Sequence, residues 1–246
     1  MNLKYIVTGT GRSGTVYLAR VLTSVGIPCG HETIFDYHGL EVAIDRIEGR
    51  RPLKLSDVSM INFEGGHCTV IPEWLADINS IEADSSYLSA PYLDRMDVVS
   101  IHAVRDPIKV VNSFCNYINY FTHPYPSDPY GMVYEEFIYK HIPELMQKMT
   151  PYERACLYYV RWNQMIEKKL EGKRSIFYRV EDDIESLLHL LLVSSDSAYN
   201  NRKVNSFEKT TKSFCLSDLS NSTLKRDFID MGRRYGYNML SNNVFI

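Results

Sequence analysis

The stretch YIVTGTGRSGTVYLARVL, residues 5–22, decides how the rest of the chain is read. The run LKYIVT (3–8) is apolar enough for a strand buried in a sheet, and Gly9, Gly11 and Gly14 follow at once. Beyond them Leu18, Val21, Leu22 and Val25 recur at i, i+3, i+4 and i+7, the spacing of one helix face, until Gly26 and Pro28 stop it. Strand, glycine turn and helix in that order begin a βαβ unit. In GTGRSGT (9–15) the glycines let backbone N–H groups turn inward around an anion, and the helix adds the positive end of its dipole. The nucleoside-triphosphate form of such a loop places a lysine directly after the last glycine. Here Thr15 and Val16 follow Gly14, and Arg12 carries the cation two residues earlier. A cationic fork inside the loop suits an anion without a magnesium-bound triphosphate. The plainer alternative is a tight structural turn with a surface arginine.

Working outward, VVSIHAV (98–104) reads as a second core strand, closed by Arg105-Asp106-Pro107. A helical pattern follows over 108–120, another over 152–170 with Ala155, Tyr158, Tyr159, Trp162, Met165, Ile166 and Leu170 on one stripe, and a last one over 223–235. SIFYRV (175–180) makes a further strand after Gly172. Strands alternating with helices predict a parallel sheet covered on both faces. Segments 121–131 and 194–203 read as irregular, and 33–96 shows no clear period.

With 246 residues, 45% of them hydrophobic, the chain is long enough for a sizeable core in one domain spanning 1–246. A net charge of −3 does not suggest a nucleic-acid binder, whose footprint would be a basic patch or stripe. An anionic ligand must then be held by a few placed residues. Cys29, Cys68, Cys115, Cys156 and Cys215 are dispersed, which predicts free thiols rather than disulfides or a zinc site. The longest apolar run, around 187–193, is far below the roughly 20 residues of a membrane span. The expected location is cytoplasmic.

Three segments in order carry a family resemblance: GRSGT (11–15), VRDPIKVVNS (104–113) and YRVEDD (178–183). Together they resemble the sulfotransferases that use 3′-phosphoadenosine 5′-phosphosulfate (PAPS), and Trp162-Asn163 and RRYGY (233–237) extend the likeness over nearly the whole chain. The first segment matches that family's 5′-phosphosulfate loop, and the second its 3′-phosphate signature, an arginine with a serine eight positions on. The resemblance implies a P-loop NTPase-like three-layer α/β/α fold with a central, mostly parallel sheet. It implies sulfuryl transfer from PAPS to an acceptor hydroxyl by in-line displacement, with no metal and with adenosine 3′,5′-bisphosphate as product. Gly11, Arg12, Ser13, Gly14, Thr15, Arg105 and Ser113 are the implied nucleotide-binding residues, with Arg12 also neutralising the phosphate during transfer. Lysine is usual at the Arg12 position in cytosolic members; arginine is more like the bacterial and tyrosyl-protein branches. Those branches can add an arginine four positions after the serine, where this chain has Tyr117. Lys209 and Lys212 stand where a late basic loop would close over the nucleotide, or are simply solvated.

Removal of the acceptor's proton needs a base. In CGHET (29–33), Glu32 matches the position of the catalytic glutamate in arginine-loop sulfotransferases, and His31 is its rival. His102, inside a core strand, ranks third. Asp84 stands where many members have a lysine-containing segment, so nothing carries over to Ser85 and Ser86. Glu181, Asp182 and Asp183 read as caps or ion-pair partners. The tyrosine-rich segment 116–130 reads either as an acceptor-pocket lining or as ordinary packing. The acceptor itself stays open between a small molecule, a carbohydrate, a lipid and a peptide tyrosine. An ATP-dependent small-molecule kinase and a non-catalytic nucleotide-binding module are the alternative functions.

Overall fold

The computed structural model describes residues 2–53, 59–63, 66–69, 80–116, 121, 129–192 and 213–239. In chain order the elements are β1 (Tyr5–Gly9), α1 (Thr15–Ser24), β2 (Cys29–His31), α2 (Leu40–Ile47), β3 (Ser59–Phe63), β4 (Gly66–Thr69), β5 (Ala83–Ser85), β6 (Val99–Val104), α3 (Pro107–Asn116), α4 (Pro129–His141), α5 (Pro151–Leu170), β7 (Ser175–Arg179), α6 (Ile184–Leu190) and α7 (Ser222–Arg234). A 3₁₀ segment, Tyr87–Arg95, joins β5 to β6. β3 and β4 pair antiparallel as a separate hairpin.

Five strands form one all-parallel sheet in the order β2-β5-β1-β6-β7. The apolar run around β1 is explained by burial on both faces. Ile6 packs into the core that α3, α4, α5 and α7 share, while the next residue, Val7, packs into the one formed with α1 and α6. Helices therefore cover the sheet on two sides, which is the three-layer α/β/α arrangement of the P-loop type. The chain leaves β1 for β2 and β5 on one side, then crosses to β6 and β7 on the other. The order reverses at β1, and the crevice beyond the carboxyl end of such a strand is where open parallel sheets bind ligands.

The long helices lie where the apolar spacing predicts, with ends shifted by a few residues. α5 begins under a full capping box: Thr150 accepts from the Glu153 N–H, Glu153 reaches back to the Thr150 N–H, and Pro151 takes the first turn. One expectation is corrected. Segment 121–131 is not irregular to its end, because α4 starts at Pro129. Proline reads as a breaker but suits a first turn, where its missing N–H has no partner to lose.

Candidate functional site

The glycine loop between β1 and α1 sits at that reversal point. Gly14 is the N-cap of α1 and has φ of 93°, a left-handed conformation that a side chain resists. At Gly9 a Cβ would collide with the Ala103 carbonyl on β6 and with Ser13 Oγ, so only glycine lets the loop leave the sheet there. No side chain caps α1 and no acidic residue lies in its first turn. α3 differs: Asp106 Oδ1 accepts from the N–H groups of Ile108 (2.9 Å) and Lys109 (3.4 Å). Of the two helix starts, only that of α1 is left electropositive and ready for an anion.

Arg12, itself at φ of 67°, donates Nε to Ser113 Oγ at 2.8 Å across 101 residues. Arg105 donates Nη1 to the Arg12 carbonyl at 3.1 Å. The fold thus brings together the loop arginine, the strand-end arginine and the helix serine that the sequence singles out. Two neighbours on α5, which the sequence shows only as members of its apolar stripe, clamp this group. Tyr158 OH accepts the Gly11 N–H at 2.9 Å, and Tyr159 OH donates to the Arg105 carbonyl at 3.2 Å. Gly11 therefore turns its N–H toward Tyr158, and its part in the loop is to let the backbone pass close to the Phe114 ring. Both tyrosines are buried. An aromatic stripe alone looks like core, and their hydroxyl partners come from distant segments.

The carboxyl end of β2 supplies the second half of the site. His31 Nε2 lies 3.1 Å from Thr15 Oγ1, while its buried Nδ1 has no hydrogen-bond partner among the described residues. Burial, with the Arg12 charge adding to it, lowers the His31 pKa to about 3, so the ring is neutral over the physiological range. Glu32 follows at φ of 53°, and its Oε2 accepts from Tyr134 OH of α4 at 3.0 Å. Two residues held in left-handed conformations, Arg12 and Glu32, thus both belong to this region, as strained backbone at working sites often does. Tyr134 lies just past the tyrosine-rich segment noted in the sequence.

Asp84 on β5 is the reason the backbone after Glu32 holds its course. Its fully buried carboxylate accepts the N–H groups of Thr33, Ile34 and Phe35 at 3.1, 3.2 and 2.9 Å. Burial raises the Asp84 pKa to about 6, against the lowering effect of those three bonds. Ser85 donates to the Thr15 carbonyl at 2.8 Å, tying β5 to α1, and Ser86 donates to the Phe35 carbonyl at 2.8 Å. The segment that carries no transferable signature is therefore the scaffold of the site.

Other candidates fall elsewhere. His102 is buried against α5, 3.0 Å from Asn163 Oδ1 and edge-on to Tyr235. Asp183 caps α6, Asp182 pairs with Arg179, and Glu181 accepts from the Asp106 N–H and Tyr237 OH. Lys209 and Lys212 lie outside the described residues. Among the described residues no group of three or more His, Cys, Asp or Glu side chains is gathered as a metal ligand set. No helix among them is long and apolar enough to cross a membrane. Compared with known proteins, the chain matches no family model and no curated protein.

Proposed function

We propose that the protein transfers a sulfuryl group from PAPS to an acceptor hydroxyl. The observation that carries this reading is the junction of Arg12, Ser113 and Arg105, two phosphate-seeking cations and a hydroxyl at the ligand crevice of a parallel sheet. Arg12 and the open start of α1 hold the 5′-phosphosulfate. Arg105 and Ser113 hold the 3′-phosphate, as the two matched signatures imply.

Glu32 is the base. It takes the proton from the acceptor hydroxyl as the new O–S bond forms and the bond from sulfur to the phosphate oxygen breaks. Negative charge develops on that departing oxygen, where Arg12 stabilises it. His31 is a poor base in this setting, because a ring that protonates only near pH 3 has little affinity for the proton. It serves instead as a neutral hydrogen-bonding group behind the loop, with Nδ1 still available.

Thermal denaturation with ligands tests the reading. Adenosine 3′,5′-bisphosphate is expected to raise the melting temperature without Mg²⁺, and PAPS consumption with a hydroxyl acceptor is expected to follow. Stabilisation by ATP and Mg²⁺ alone would support a kinase instead. Binding of the bisphosphate without any turnover would leave a nucleotide-binding module.

A further inference from the structure

Seven residues of chain lead from Glu32 to Gly39, and they end in a second polar cluster that the reaction above does not use. Asp36 is almost fully buried, and its Oδ2 accepts both Arg46 Nη2 and His38 Nδ1, each at 2.9 Å. Its Oδ1 accepts the His38 backbone N–H at 2.9 Å. Arg46, buried as well, donates Nη1 to the Ile34 carbonyl at 2.9 Å, so the pair is locked to the same backbone that Asp84 holds. Burial pushes the Asp36 carboxyl up, but the bonds from Arg46 and His38 outweigh it and bring the group below its ordinary value. Asp36 is a fixed anion.

A carboxylate at Nδ1 orients an imidazole and fixes which nitrogen carries the proton. His38 is 41% exposed, so Nε2 is presented outward, and no hydrogen bond to it occurs among the described residues. The ring stacks on Tyr37 with centroids 4.3 Å apart, Tyr37 meets Tyr134 edge-on at 5.5 Å, and Tyr134 OH reaches Glu32 at 3.0 Å. A continuous wall of three rings with polar tips therefore runs from the base to an oriented histidine.

We infer that His38, oriented by Asp36, is an acceptor-positioning residue, and that the acceptor is an extended polyhydroxyl chain such as an oligosaccharide. One hydroxyl meets Glu32 while the chain crosses Tyr134 and Tyr37, and a remote hydroxyl donates to His38 Nε2. Aromatic faces with hydroxyl tips suit a ligand that alternates C–H surface with donors. The wall is longer than one phenol, which accounts for an element one hydrogen bond and two ring contacts away from the base. This inference rests on the sulfuryl-transfer reading.

The test measures transfer from PAPS to neutral p-nitrophenyl glycosides of one, two and three sugars, with p-nitrophenol as the small comparison. The wild type is expected to use the trisaccharide glycoside at least tenfold better in kcat/KM than the monosaccharide. His38→Ala is expected to erase that gain through acceptor KM, with kcat and adenosine 3′,5′-bisphosphate binding nearly unchanged. His38→Gln, which keeps an outward acceptor atom, is expected to restore part of it. Equal use of all lengths, preference for p-nitrophenol, no glycoside transfer despite nucleotide binding, or a length gain surviving in His38→Ala would each overturn the inference and leave the nucleotide reading intact. Failure to bind the bisphosphate at all would overturn the reading beneath it and the inference with it.

Discussion

Arg12 and Ser113 lie 101 residues apart in the chain and 2.8 Å apart in the fold, and the guanidinium is the donor. On the sulfuryl-transfer reading, the bond couples the two halves of the proposed nucleotide site. A 3′-phosphate at Ser113 and a 5′-phosphosulfate at Arg12, as proposed, would act on a single junction, and the two residues would not be independent.

Arg105→Ala and Ser113→Ala are expected to weaken binding of adenosine 3′,5′-bisphosphate. Each lost charge-assisted hydrogen bond is worth about 1.5–3 kcal/mol. Adenosine 5′-phosphate, lacking the 3′ group, is expected to lose much less. Because Arg105 also braces the Arg12 carbonyl, Arg105→Ala is expected to cost the 5′-only ligand a little where Ser113→Ala does not. Calorimetric titration of both ligands checks this, and equal losses for the two would mean the 3′ site lies elsewhere.

Glu32→Gln is expected to keep nucleotide binding and lower turnover by about 10²–10⁴-fold, the range of general base catalysis. The amide retains the shape and can still accept from Tyr134, so the loss reports basicity alone. His31→Gln is expected to be far milder. Turnover near wild type in Glu32→Gln, with collapse in His31→Gln, would reverse the roles.

Much of this arrangement is legible in the sequence, and the missing parts have physical reasons. Leu18, Val21 and Leu22 declare a helix because a period needs two or three turns to show, and they have them. β2 and β5 are three residues each, too short for any period, and contain Gly30, His31 and Asp84, which are poor strand signals. Arg12 stood out because a cation inside a glycine loop is read locally, and Arg105 and Ser113 because their eight-residue spacing matches the signature carried by the resemblance. Asp84 did not, since its three partners lie about fifty residues back and are backbone groups without sequence identity. The hydroxyls of Tyr158 and Tyr159 are hidden by the same logic, for their rings already satisfy the helix stripe.

Acid stability is expected to carry the signature of His31. Its pKa is about 3 in the fold, well below the ordinary 6.5, so the stability that its neutral form contributes is complete above pH 6.5. It is lost as pH falls from 6.5 toward 3, because the unfolded chain binds the proton first. Between pH 7 and pH 5 the loss is about 2 kcal/mol, at 1.36 kcal/mol per pKa unit. Asp84, raised to about 6, works in the opposite direction over part of this range. The difference between wild type and His31→Gln in urea at the two pH values isolates the histidine. The wild type is expected to lose more on acidification than the variant, and parallel losses would show that the ring takes up its proton as readily in the fold as in the unfolded chain.

The last prediction concerns the clamp rather than the chemistry. Gly11 gives its N–H to Tyr158 OH in a buried setting, so Tyr158→Phe keeps the ring packing against Phe114 and Trp162 and removes only the oxygen. A buried N–H left without its acceptor costs about 1–3 kcal/mol. The loop can avoid that cost only by turning Gly11 toward water, which would pull Arg12, the next residue, away from Ser113. Tyr158→Phe is therefore expected to lower stability by about 1–3 kcal/mol and to weaken adenosine 3′,5′-bisphosphate binding as well, although Tyr158 need never touch the nucleotide. Tyr159→Phe removes a donor whose acceptor, the Arg105 carbonyl, has a second lone pair and lies near the surface, so a smaller effect is expected. Denaturant melts and nucleotide titrations of the two variants separate these outcomes. Equal stability and affinity in wild type and Tyr158→Phe would show that the loop holds its shape without the clamp.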